Sequence, residues 1–184
     1  MLALWIVLGL VVLVALYLVF LYNGLVRMRN RIESAWAQID VQLRRRYDLI
    51  PNLVETVKGY ATHERDTLDS VTRARAAAES AEGPAEQAAK ENMLTQTLRS
   101  LFAVSEAYPD LKANTNFLSL QEELSATEGR IAYARQYYND AVQRYNTKIQ
   151  SFPAVLLAGA MRFQEREYFE ADGESRGPVD VSFS

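Results

Sequence analysis

Residues 1–22, "MLALWIVLGLVVLVALYLVFLY", run without one charged side chain. As a helix rising about 1.5 Å per residue, such a run spans roughly 30 Å, the thickness of a bilayer's hydrocarbon core. A chain that carries it is expected to cross a membrane once. A cleaved signal peptide would have a basic start, a shorter apolar core and small residues at a cleavage site, whereas Tyr22, Asn23 and Gly24 here follow an overlong core. Trp5 lies near one end and Tyr17 and Tyr22 near the other, where aromatic rings favour the membrane interface. No lysine or arginine precedes the run, while Arg27, Arg29 and Arg31 follow it directly. That asymmetry predicts an external N-terminus and a cytoplasmic bulk, with the three arginines in contact with lipid headgroups. Gly9 is followed four residues later by Leu13, so no GxxxG motif signals close helix pairing inside the bilayer.

The 184 residues are 49% apolar, which suits one folded domain of ordinary size. A formal net charge of -3 argues against nucleic acid as a partner, because neutralising a phosphate backbone needs a cationic excess. The absence of cysteine excludes disulfides, a thiolate nucleophile and cysteine-ligated metals. The single histidine, His63, stands beside Glu64 without a second histidine at metal-ligand spacing, and is expected to be solvated. Glycines are scattered singly, with no nucleophile elbow, phosphate-binding loop or dinucleotide fingerprint. The chain is therefore read as non-enzymatic, with no catalytic residue, metal site or cofactor.

Beyond the membrane run, Ile32, Trp36, Ile39, Leu43, Tyr47, Ile50, Val54, Val57 and Ala61 step by four and three, one helical stripe that keeps phase through Pro51. A helix kinked at Pro51 is expected to continue through Leu68, Val71 and Ala78 to "EGPAE", the competing reading being a tight turn at "DLIP". A second helix, roughly Ala85 to Tyr108, presents Leu94, Leu98, Leu101 and Phe102. A third starts near "NTNFLSLQEE", where Asn114 or Asn116, or the capping-box pair Ser119 and Glu122, would cap it. Its stripe is Phe117, Leu120, Leu124, Thr127, Ile131, Ala134, Tyr138, Val142, Tyr145, Ile149 and Phe152. Pro153 then permits a corner into a short helix within "AVLLAGAMRF". Tyr133, Tyr137, Tyr138 and Tyr145 read as core tyrosines with hydroxyls at the bundle edge rather than a ligand platform. The fold class is all-α: a transmembrane anchor over residues 1–22, an antiparallel bundle of three long helices and one short one over 23–169, and a mobile tail over 170–184, broken only by alternating Val179, Val181 and Phe183.

The order of motifs is informative beyond periodicity. "YNGLVRMRN", "AWAQIDVQLRRRYDLIPNLVETVKGYATHE", "FLSLQEELSATEGRIAYARQYYNDAVQRYN" and "SFP" together resemble the LemA family of bacterial membrane-anchored proteins, from Tyr22 to about Phe169. The resemblance implies a single-pass anchor in the bacterial cytoplasmic (inner) membrane, a small external N-terminus and a cytoplasmic helical bundle. It brings no catalytic residues. It also implies links, for some members, to membrane organisation or to membrane proteases.

The triple arginine in "VQLRRRYDLIPNL" reads as structural. On an upright helix Arg45 would stand about 33 Å above the bilayer, well beyond a screening length of about 8 Å. Asp40, Arg44 and Asp48 form a charged row at helical spacing, and Glu123 or Glu128 could pair with Arg45 or Arg46. Lengths suggest assembly: a first helix of about 87 Å followed by a return of about 36 Å would leave Leu25, Ile32, Trp36, Ile39 and Leu43 uncovered by their own chain. The expectation is a homo-oligomer joined through that stripe. The functional reading is a self-associating scaffold that organises proteins or membrane shape, with membrane lipids as partners. The alternative is an adaptor or regulator of a membrane-bound protease or other membrane protein.

Overall fold

The computed structural model describes residues 1–170, apart from the side chain of Leu157. The expected alternation at Val179, Val181 and Phe183, and the tail beyond Glu170, lie outside the described residues. Helix α1 runs unbroken over Leu2–Lys58, α2 over Arg65–Glu79, α3 over Pro84–Ser105 and α5 over Thr115–Gln150, with single turns α4 at Pro109–Lys112 and α6 at Val155–Ala158. The all-α class is as the sequence implies. The number of long segments is not, because residues 59–64 interrupt the expected first helix.

The break is built from ordinary turn chemistry. Gly59, a poor helix former, follows the last helical residue, and Tyr60 and Ala61 both donate their amides to the Val57 carbonyl. Ala61 is fully buried, so the apolar phase survives the turn although the helix does not. At the next reversal Gly83 has φ 82°, a conformation that a side chain would strain, and Pro84 opens α3. Asn114 caps α5: its side-chain oxygen accepts the Phe117 amide at 3.0 Å.

The chain divides into two compact units. Unit 1 holds Met1–Ala37 and Gln136–Arg166, so α1 and α5 each contribute to both units. Residues 2–17 of α1 are uniformly exposed, and this is the one helix among the described residues that is long and apolar enough to cross a membrane. Below it, Leu21, Leu25 and Ile32 are buried, with Tyr138, Val142, Tyr145 and Ile149 buried on the α5 side. Tyr22 meets Phe163 ring to ring at 5.6 Å, and Trp36 meets Tyr138 at 5.4 Å.

Unit 2 holds Gln38–Arg135 and the described residues from Glu167 onward. Hairpins at residues 59–64, 80–83 and 106–114 make it an up-down-up-down bundle of four helices rather than the expected three. That extra hairpin reverses the direction of α5, which therefore runs antiparallel to α1. The premise for an uncovered stripe falls with it: Leu25, Ile32, Ile39 and Leu43 are each at most 4% exposed and Trp36 is half-buried, all covered by their own chain. The third-helix stripe is buried except for half-buried Leu120 and for Phe152, which is 79% exposed.

Candidate functional site

The densest chemistry in the chain lies inside unit 2, and helical phase puts it there. On α1, Ile39, Leu43, Arg46, Ile50, Leu53 and Val57 recur in alternating steps of four and three, and each is at most 3% exposed. Arg46 thus occupies a core position. On α3, Gln87, Glu91, Leu94, Leu98, Leu101 and Ser105 follow the same alternation, and all are buried. A guanidinium and a carboxylate therefore meet across facing helices.

Arg46 Nη1 lies 2.8 Å from Glu91 Oε2, while Nη2 reaches Glu128 Oε1 on α5 at 2.8 Å and donates to Thr95 Oγ1 at 2.7 Å. The Tyr47 hydroxyl donates to Glu91 Oε1, which also accepts from Gln87 Nε2 at 3.0 Å. Gln87 Nε2 lies 2.9 Å from both the Tyr47 hydroxyl and the Ala78 carbonyl. Arg46 Nε has no hydrogen-bond partner among the described residues. A buried charge is tolerable only when paired and hydrogen-bonded, and this cluster meets that condition by tying α1, α3 and α5 together. Burial pushes the Glu128 carboxyl up from its usual range, with Arg46 opposing and Glu91 reinforcing the shift.

Pro51 is accommodated by the same cluster. A proline has no N–H, so the carbonyl four residues back, that of Tyr47, loses its helical donor. Arg75 on α2 supplies one: its Nε donates to the Tyr47 carbonyl at 2.9 Å, while its Nη2 sits 3.6 Å from Glu79. The interruption in α1 is thereby converted into an attachment point for α2. Arg75→Met is expected to cost about 1–3 kcal/mol by leaving that carbonyl unpaired, and most of the loss should vanish in a Pro51→Ala background, where the restored amide takes its place. Denaturant titration of the four-member cycle checks this. Equal costs in both backgrounds would mean that Arg75 does something other than repair the proline.

The Tyr47 phenol is held well above its ordinary value by burial first, by its hydrogen bond to Glu91 second and by the Glu91 charge third. A raised folded-state pKa means that its stabilising contribution is complete below the unfolded value of about 10 and is lost as pH climbs above it. Stability should therefore fall above pH about 10 by up to about 1.4 kcal/mol per pH unit from this group, and Tyr47→Phe should have a shallower alkaline limb. Thermal melts across that range decide it, and parallel limbs for parent and variant would remove Tyr47 from the account.

The arginines after the membrane run differ from one another. Arg27 is exposed and has no ion-pair or hydrogen-bond partner among the described residues. Arg29 is 4.0 Å from Glu33, and Arg31 donates to the Tyr137 hydroxyl at 3.0 Å with its guanidinium 5.3 Å from that ring's centre. Two of the three are thus partly engaged by protein. Arg44 pairs with Asp40 at 2.9 Å on the surface, beside a cleft that Asp48 and Glu79 also border. Arg45 stands 3.9 Å from Glu123. Tyr138 and Tyr145 are buried as expected, whereas Tyr133 is 74% exposed, and His63 is exposed. Sequence reading missed Glu91, Gln87 and Arg75 as structural partners. For Glu91 and Gln87 the available signal was their phase with the leucines of α3, which polarity concealed.

The model of the LemA family matches residues 35–183, a span that includes every member of the Arg46 cluster. Protein LemA of Metamycoplasma hominis is 27% identical over 164 residues, which cover 87% of this chain and 74% of its own. Magnetosome protein MamQ 2 of Paramagnetospirillum magneticum is 26% identical over 184 residues, covering 86% of this chain and 68% of its own. Magnetosome protein MamQ of Magnetospirillum gryphiswaldense is 24% identical over the same shares.

Proposed function

The chain belongs to the LemA family, and from that premise we propose that it is a non-enzymatic scaffold, anchored in a membrane by residues 2–22 and presenting its bundle to proteins or lipid at the cytoplasmic face. One observation carries the reading. The groups with the most reactive potential, Arg46, Glu91 and Tyr47, are consumed by one another in the core, each at most 6% exposed. Meanwhile residues 2–17 of α1 stand uniformly exposed, as a segment made for lipid would. Similarity to magnetosome proteins supports a part in a larger cellular assembly.

The test pairs location with chemistry. Full-length chain is purified from membranes in mild detergent, alongside a variant carrying Arg46→Met and Glu91→Gln that removes both buried charges. A scaffold recovers the same companion proteins in both forms. Loss of the companions from a variant that remains fully helical would make the cluster a working site and overturn the scaffold reading.

Orientation follows from Arg27, Arg29 and Arg31 directly after the span. A reporter active only outside the cytoplasm, fused after Ser184, is expected to stay silent. Strong activity there would invert the topology.

A further inference from the structure

The corner after α5 is apolar on the side that faces away from the protein. Its inner face is buried: Ala154, Ala158 and Phe163 are at most 6% exposed. Its outer face is not, since Phe152 is 79%, Val155 47% and Leu156 68% exposed. Phe152 is in phase with the core stripe of α5, yet it points out. From Ser151 to Phe163 no acidic residue occurs, and the one charge is the exposed Arg162.

The location of this corner identifies what covers it. Phe163 packs on Tyr22 at 5.6 Å, and Tyr22 closes the uncharged run of α1. A helix from Leu2 to Tyr22 rises about 30 Å, so Tyr22 lies at the edge of the hydrocarbon when that run spans a bilayer. The buried end of the corner therefore packs beside the residue at which the apolar run of α1 ends. Aromatic and aliphatic side chains with a nearby cation are the composition that partitions into the headgroup–acyl boundary.

We propose that residues 151–163 form a membrane-interface wedge, in which Phe152, Val155 and Leu156 insert into the leaflet beside α1 and Arg162, together with the unpaired Arg27, contacts anionic headgroups. The wedge gives unit 1 a second attachment to the bilayer, off the axis of the anchor. It rests on residues 2–22 spanning the membrane, and the test separates the two claims.

Because the chain has no cysteine, single thiols can be placed at will. Leu156→Cys, Arg144→Cys and Val12→Cys are made in the full chain, labelled with an environment-sensitive fluorophore and reconstituted in vesicles of phosphatidylcholine and phosphatidylglycerol containing brominated lipid. The wedge predicts quenching at 156 several-fold above that at 144 and approaching that at 12. Quenching at 12 alone, with 156 no higher than 144, overturns the wedge and leaves the anchor standing. Weak quenching at all three sites overturns the anchor and the wedge with it. A label at 156 that is buried yet unquenched, in a chain that cross-links to a second copy, assigns the face to protein and also overturns the proposal.

Discussion

Replacing Arg46 by alanine is expected to destabilise the bundle by about 3–5 kcal/mol, a large part of the roughly 5–15 kcal/mol that holds a typical domain folded. The cost comes less from the lost attraction than from what remains: Glu91, 4% exposed, would keep a buried negative charge facing a void. Thr95 and Glu128 would lose their guanidinium partner as well. The explanation makes a second, sharper statement. Arg46→Met combined with Glu91→Gln leaves no uncompensated buried charge and keeps the amide and hydroxyl contacts of Tyr47 and Gln87, so it should recover most of the loss. Glu128, at 39% side-chain exposure, can turn to water. Denaturant unfolding followed by helical circular dichroism measures all three proteins, and a double variant as unstable as Arg46→Ala would show that the charge itself is indispensable.

The second large effect is expected at Leu25→Ala, about 2–5 kcal/mol, since Leu25 is 1% exposed and its truncation leaves a cavity in unit 1. Phe152→Ala supplies the contrast. It too belongs to an apolar helical stripe, but at 79% exposure it should change stability in detergent by less than about 0.5 kcal/mol. Thermal unfolding of both variants reads the difference. Similar small losses would mean that Leu25 is not packed by its own chain.

Much of the architecture was legible because helical periodicity survives in the sequence. The continuation of α1 through Pro51 could be read from unbroken phase, and the caps at Gly83, Pro84 and Asn114 from residue type. The hairpin at residues 59–64 was not legible in the same way, because buried Ala61 keeps the phase while the backbone turns. The missing apolar position at Glu64 and Arg65, between Ala61 and Leu68, was the trace it left. That one turn decides the direction of α5, and with it whether the stretch from Leu25 to Leu43 is covered. Of the candidate site, the pairing of Arg46 with Glu128 was legible, whereas Glu91 was hidden for a different reason. Arg46 and Glu91 sit in phase with their neighbours, but an ion pair satisfied across a bundle looks, one helix at a time, like two ordinary surface charges. Phe152 erred the other way, being in phase with a core that ends before it.

The central claim is that each chain folds α5 back onto its own α1, forming a self-contained bundle on a single anchor. Trp36 and Tyr138, whose rings are 5.4 Å apart, mark that contact. In this cysteine-free chain, Trp36→Cys and Tyr138→Cys can be joined by a short bis-thiol cross-linker in native membranes, and the products separated by size under denaturing conditions. The account predicts closure within one chain, with the product migrating as a compact monomer and neither single-cysteine variant reacting further. Cross-linking that instead joins two chains, with no internally closed monomer, would contradict it.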